Sequence, residues 1–444
     1  MLYRYQKLLA LYGRRLQLIN RNYTFLWLGQ SVSLIGDTIF DTVLVLWVAM
    51  LLRNDNHAPL AVSGIGLAVA LPSLLLSPFA GVLVDRWSKQ RTMLVMDALR
   101  ALLVCCLLLV TGALPLPFLA PGGLPLPVKL VALYMIVAAS SSCSQFFNPS
   151  SMALLGIIVP EEQRTRASAL SMGTGMFAWT LGPAIASVLY ASFGIGWAIV
   201  FNVASFGWSW CMIRRIQLPA SQPMAPTERP QRHFLRELWD GLSFIRGNAL
   251  LFVLLLADCG FFFGLGIVNT LCLFLVTGNL HVPDSLYGPF CAIPASGGIL
   301  GTWLVGRYGS KVGETRIYAW AALLSGACIL FIGWQSNPLL ALFGFFIANV
   351  SNLHAAVVTG PLILKATPEA LVGRIFAARG TAITVSSMLA TFLSGYLSST
   401  LLRSLHLSLN GSASFNAINV LYICAGIIIM LAGIYAWWKL VRKG

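Results

Sequence analysis

Residues 60–113 read LAVSGIGLAVALPSLLLSPFAGVLVDRWSKQRTMLVMDALRALLVCCLLLVTGA. Two runs of apolar residues, 60–84 and 92–113, flank the charged turn Asp85-Arg86-Trp87-Ser88-Lys89-Gln90-Arg91. A helix rises about 1.5 Å per residue, so each run is long enough to cross a hydrocarbon layer of about 30 Å. The stretch therefore reads as two membrane-spanning helices joined by a short polar hairpin.

The same alternation of apolar runs and polar breaks continues in both directions. Spans are expected at 24–51, 60–84, 92–113, 129–155, 167–193, 197–213, 249–276, 286–306, 317–335, 338–364, 375–402 and 416–438. The composition agrees, because 58% of the 444 residues are hydrophobic and only 10% are charged, against about a quarter charged in soluble domains. A soluble multidomain enzyme is excluded. The expected fold is an all-α membrane protein of twelve transmembrane helices.

The net charge of +15 raises the question of nucleic acid, which requires basic residues on one water-facing surface. Of the 29 lysines and arginines, 24 fall in the segments that an even number of spans places on the side of both termini. By the positive-inside rule that side is cytoplasmic, so the excess records topology in a cytoplasmic (inner) membrane and no nucleic acid partner is expected. The basic N-terminus leads into a first run that contains acids and lacks a small-residue cleavage site, so it reads as a retained span. Nine cysteines, Cys105, Cys106, Cys143, Cys211, Cys259, Cys272, Cys291, Cys328 and Cys424, all lie in apolar runs without metal-ligand spacing, so neither disulfides nor metal ligands are expected. No nucleotide-binding loop, Ser/His/Asp arrangement or HxxxH pair is present, which leaves ATP drive, membrane-embedded hydrolysis and a bound cofactor without support.

Residues 214–247 form the longest polar stretch, Pro-rich at first and then with Phe234, Leu235, Leu238, Trp239, Leu242 and Ile245 at helical spacing among arginines. A linker followed by a short helix on the membrane surface is expected. It separates an N-terminal six-helix half, 1–213, from a C-terminal half, 248–444. The halves carry signs of an internal repeat: Asp37 and Asp258 are 221 residues apart, as are Arg86 and Arg307, and Pro160-Glu161 recurs as Pro368-Glu369 at an offset of 208. The Leu/Pro/Gly-rich insertion 114–127 accounts for the difference.

The turn Gly81-Val82-Leu83-Val84-Asp85-Arg86-Trp87-Ser88-Lys89-Gln90-Arg91 resembles the loop signature of the major facilitator superfamily, G-x-L-x-D-R-x-x-x-[RK]. The likeness runs over nearly the whole chain. Within the superfamily the sequence is similar to the branch of drug, macrolide and enterobactin exporters. Its marks are Asn20-Arg21-Asn22-Tyr23, Leu26-Trp27-Leu28-Gly29-Gln30, Ser33-Leu34-Ile35-Gly36-Asp37, Asp97 with Arg100, Asn148-Pro149-Ser150, Val159-Pro160-Glu161, Pro368-Glu369 and Gly373-Arg374. The resemblance implies two pseudo-symmetric halves around a central cavity, alternating access, and a gating role for Asp85. In the fifth span Gly182-Pro183 resembles the superfamily's antiporter signature, with Ala178 in place of its first glycine and Ala186-Ser187 in place of its last two.

A charge in mid-membrane is costly, so an acid there is functional or paired. Asp37 lies near the middle of the first span and Asp41 is one turn further out on the same side, a spacing that suits coupled proton uptake and release. Asp258 is the repeat counterpart of Asp37 and joins them as a proton-coupling candidate. Gln145, Asn148, Asn269, Asn349, Asn352 and His354 are candidates to line the substrate cavity, with amide packing between helices as the alternative. Lys365 is expected to snorkel to water. Gly81, Asp85, Arg86, Arg91, Asp97, Arg100 and Arg374 form a candidate conformational gate, in which Asp97 and Arg100 read either as a helix-surface ion pair or as part of a latch with Arg374 or Arg379. Aromatic residues such as Phe146, Phe147, Phe177, Trp179 and Phe261 suit an amphipathic ligand, a lipid face or a core.

With the resemblance, these residues lead to the expectation of a monomeric secondary transporter that exports an amphipathic small molecule, such as a drug-like macrolide or a siderophore, by proton antiport. The expected partners are the small-molecule substrate, protons and membrane lipids. The alternatives are proton-coupled uptake, lipid or lysolipid translocation by the same fold, and, from another class, a membrane-embedded enzyme.

Overall fold

The structure, a computed structural model, describes residues 18–113, 124–218, 234–368, 371–402, 407–409 and 413–442. The Pro-rich first part of the linker, most of the 114–127 insertion, and Glu369 lie outside the described residues.

The described chain is almost wholly helical. Its helices are α1 (Arg21–Leu51), α2 (Ala58–Arg86), α3 (Lys89–Thr111), α4 (Leu126–Ile158), α5 (Arg164–Arg214), α6 (Phe234–Gly247), α7 (Ala249–Phe274), α8 (Tyr287–Ala295), α9 (Gly297–Val312), α10 (Glu314–Trp334), α11 (Pro338–Ala366), α12 (Val372–Ser399) and α13 (Ala417–Ala436). Ten helical stretches among the described residues are long and apolar enough to cross a membrane. One of them, Glu161–Arg214, breaks at Gly194, where φ 72° and ψ −174° are open to glycine but not to a helical residue with a Cβ. Counting both limbs of α5, α8 with α9 as one bent stretch, and α11, the helices among the described residues correspond to the twelve runs expected from sequence.

Asparagine side chains start many of these helices. Asn20 accepts from the backbone of Tyr23, Asn248 from Leu250 and Leu251, and Asn337 from Leu339, while Asn416 and Asn419 form a reciprocal capping box at the start of α13. Asn20 also donates to the carbonyl of Ile158, tying the start of α1 to the end of α4. A two-stranded antiparallel ribbon, Leu407–Leu409 with Ala413–Phe415, precedes α13.

The chain forms two compact units. The first holds Met1–Val43, Leu71–Gly182 and Ser192–Glu228; the second holds Leu44–Ala70, Pro183–Ala191 and everything from Arg229 onward. Tyr23, Leu26, Met93, Phe147, Leu154 and Ile213 pack in the core of the first. In the second, α10 and α13 approach so closely that Gly326 lies on the backbone of Met430 and Gly426 on that of Leu330, the small-residue contact that dispersion forces favour in lipid. The second unit also joins helix ends from both sequence halves. Gly395 of α12 rests on Ser63 and the Pro59 carbonyl of α2, Ser399 Oγ accepts from the backbone of Leu60 at 3.2 Å, and Gly288 of α8 lies against the Pro183 carbonyl of α5 and donates to Ser187 Oγ at 3.1 Å. Within the second unit these contacts bring helix ends of the two sequence halves together, and this face is called the sealed face.

The surface helix α6 follows the predicted spacing. Ile245 is buried, Gly241 lies on the Arg374 carbonyl of α12, and Trp239 and Leu242 are exposed. The exposed apolar side chains of α4 and α5, Met152 and Trp179 among them, are the ones a lipid solvent would cover.

Candidate functional site

In the first unit, α1 carries Asp37 and Asp41. The neighbouring Gly36 lies against Ser205 and Asn202 of α5, too close for a Cβ, so the backbone of α1 comes near these polar groups. From α3 comes Arg100, only 5% exposed, which pairs with fully buried Asp97 three residues earlier and reaches Asp37 at 3.9 Å. Its guanidinium lies between two rings, 4.3 Å from the centroid of Phe147 on α4 and 4.5 Å from that of Phe206 on α5. Planar, weakly hydrated arginine suits such stacking, and the rings and Asp97 together hold a charge that an apolar bundle would otherwise reject. Asp37 is 34% exposed and Asp41 is exposed, and among the described residues no basic side chain pairs with Asp41. The arrangement is a graded series: a fixed buried ion pair, a half-exposed carboxylate touching its cationic end, and a free carboxylate one turn beyond.

The helix-surface reading of Asp97 and Arg100 is corrected by this geometry, since both are buried. Their link to Asp37 was not visible in the sequence, because spacing along α3 does not reveal which face meets α1. Gly182 of α5 rests against Thr38, the residue after Asp37, so it packs beside the acids. Gln145 is half-buried and donates to the Ser141 carbonyl at 3.3 Å, and Asn148 is exposed on α4.

The second unit holds a different cluster. Asp258 is buried, receives the Tyr318 hydroxyl proton on one oxygen at 2.7 Å and the Arg379 Nε proton on the other at 2.7 Å, and so joins α7, α10 and α12. Arg379, read from sequence as a possible latch partner of Asp97 and Arg100 at the head of its span, lies within α12 and bonds Asp258 instead. Tyr318 is 221 residues after Asp97, so the repeat offset relates the two side chains that flank the central acid or base of each half. Nothing in the sequence patterns singled out Tyr318 or Arg379 as partners of Asp258.

Three of the predicted cavity residues are brought together. Asn269 on α7 with Asn349 and Asn352 on α11 line a cavity of about 240 Å³, whose other walls include Tyr287, Phe290 and Phe345. Asn349 donates to the Phe345 carbonyl, whereas the Asn352 carbonyl oxygen is buried without a partner among the described residues. The side chain of His354 lies outside the described ones. Of the gate residues, Gly81 has open space beside it and Asp85, Arg86 and Arg91 are exposed, with Lys89 donating to the Asp85 carbonyl at 2.7 Å. Arg374 pairs with Asp240 of α6 at 3.3 Å. Lys365 is exposed as expected, and Glu314 binds it at 2.7 Å.

Twelve spans, small-residue crossings and a few buried ion pairs among apolar helices define a polytopic membrane transporter. The chain belongs to the Major Facilitator Superfamily, whose profile matches residues 26–390. Members of this superfamily are secondary transporters, not enzymes. The chain is similar to macrolide efflux protein A of Streptococcus pyogenes, at 24% identity over 378 residues that cover 83% of this chain and 87% of that one. It is also similar to a protein of Bacillus amyloliquefaciens named for bacilysin export, at 24% identity over 431 residues and 95% of each chain. Among solved structures, the inward-facing bacterial homologue of the iron transporter ferroportin superposes with a TM-score of 0.72 at 15% identity, covering 95% of this chain and 99% of that one. The nucleoside transporter NupG superposes at 0.69 and 11% identity, covering 95% and 99%. These likenesses carry the fold.

Proposed function

We propose that the protein exports an amphipathic small molecule across the cytoplasmic membrane in exchange for protons, and that Asp37 and Asp41 carry the proton. The observation that carries this reading is the difference among the intramembrane acids. Both oxygens of Asp258 are held by strong donors, and Asp97 is closed in with Arg100. Asp37 and Asp41 alone combine exposure with loose or absent pairing, so a proton can reach and leave them without dismantling a buried bond network. Protonation would neutralise the pair and weaken its hold on a cationic or polar substrate. The names of the similar proteins favour efflux of a natural product.

Alternating access would use the seal between α2 and α12 and between α5 and α8 at one face, and the Gly81–Arg91 turn at the other. Exposed Asp85 is the residue in that turn able to take a basic partner when the second face closes. Asn269, Asn349 and Asn352 would bond the neutral polar groups of the substrate.

The test is transport in proteoliposomes under an imposed pH gradient with a macrolide as substrate. The native protein is expected to accumulate the drug against its gradient. Asp37→Asn and Asp41→Asn should each abolish the part driven by the pH gradient, and undiminished transport in both variants would remove the proposal.

A further inference from the structure

The second unit contains another cavity, about 490 Å³, at the sealed face. Its walls come from the end of α1, the start of α2, the end of α7, the end of α12 and the start of α13, all opposite the chain termini. The volume is within the range of small-molecule sites, about 300–1,000 Å³. It goes beyond the transport reading, because none of the proton-coupling or gate residues lines it.

Its lining includes the apolar Leu46, Phe274 and Ile418 together with the charged Asp55, Asp284 and Arg53. One oxygen of Asp55 is engaged by His57 at 2.8 Å. Asp284 and Arg53 are 3.9 Å apart, with the acid 31% exposed and the base 76% exposed, so the enclosed member of the pair is the acid and its partner is mostly in water. Such a pair is weak, and a ligand cation can take the arginine's place. Asn279 and Asn416 also face the cavity, but Asn279 donates to Asn416 and Asn419 at 2.9 and 2.6 Å and Asn416 donates back at 2.7 Å. These amides hydrogen-bond one another. A cavity lined by an acid, a phenylalanine and aliphatic side chains attracts an organic ammonium through both its charge and its apolar surface.

We propose that this cavity is a binding site for organic ammonium ions, with Asp284 as the counter-ion and Arg53 as its displaceable competitor. In the proposed orientation it opens to the outside, where a cationic amphipath would meet it on leaving or approaching the transporter.

Calorimetric titration of the full chain in nanodiscs with phenyltrimethylammonium, and separately with benzenesulfonate, tests the site. The native protein should bind the cation and not the sulfonate. Asp284→Asn should weaken binding about fivefold, while Arg53→Ala, at an exposed side chain, should tighten it about two- to fivefold. Opposite signs are the decisive feature, since a merely structural ion pair would make both variants bind worse. Equal binding of the sulfonate, no change in either rim variant, or changes of the same sign would each overturn the proposal. A protein that binds phenyltrimethylammonium but moves no macrolide would sink the transport reading alone.

Discussion

Arg100 is the most constrained charge in the first unit. Its attraction to Asp97 offsets a large desolvation cost, and removal of one partner leaves an uncompensated charge among Phe147 and Phe206. Asp97→Asn or Arg100→Met is expected to destabilise the protein by about 3–5 kcal/mol, and the double variant by clearly less than the sum. Thermal melting of the four proteins in detergent reads the coupling directly; additive losses would mean that the two side chains do not act as a pair. Arg100→Lys should not substitute, because an ammonium has no plane to stack between the rings. In the second unit, Tyr318→Phe removes one donor from Asp258 and should cost about 1.5–3 kcal/mol, the range for bonds to a charged group. Arg379 still holds the other oxygen, so the fold should survive, and a melting point equal to the native value would show that the hydroxyl contributes nothing.

At the level of helices, close approach rather than chemistry distinguishes the sealed face. Gly288 meets a backbone carbonyl and Gly395 meets both a carbonyl and a serine, so neither crossing has room for a side chain. Gly395→Leu is expected to push α12 from α2, and the effect should appear as faster labelling of a Ser63→Cys reporter by a membrane-impermeant maleimide. Unchanged labelling would show that this crossing does not seal the face. The helices themselves were largely legible in the sequence, because lipid demands runs of apolar residues and each run is long enough to stand out. Their rotation was not. Asp97 and Arg100 resembled a surface pair because an i, i+3 spacing is the same on any face, and nothing local to Arg379 marks its orientation toward Asp258. Small residues were legible as packing sites, as with Gly182, but the partner of each required the three-dimensional arrangement.

For the molecule as a whole, the spans expected from sequence put 24 of the 29 basic residues in the segments on the side of the chain termini. Charge asymmetry acts during insertion, so it constrains orientation without requiring any anionic ligand. The repeat is equally a property of the whole chain: the 221-residue offset connects Asp37 with Asp258 and Asp97 with Tyr318, yet the two clusters have diverged, one leaving its acid accessible and the other enclosing it. An evenly shared proton pathway would need both acids free, so the proposed proton coupling rests on the first unit, while Asp258 is held by Tyr318 and Arg379 in the second.

Orientation decides which reservoir each of these groups meets, and it can be measured apart from transport. In a background with the nine native cysteines replaced, Asn56→Cys reports the turn between α1 and α2 and Ser88→Cys reports the turn between α2 and α3. Intact cells treated with an impermeant maleimide should label Asn56→Cys and leave Ser88→Cys untouched until the membrane is opened. The reverse pattern would place the basic turns outside, make the sealed face cytoplasmic, and turn the ammonium cavity toward the cell interior. Because Asn56 also lines that cavity, phenyltrimethylammonium should slow its labelling while leaving the rate at Ser88→Cys in opened membranes unchanged.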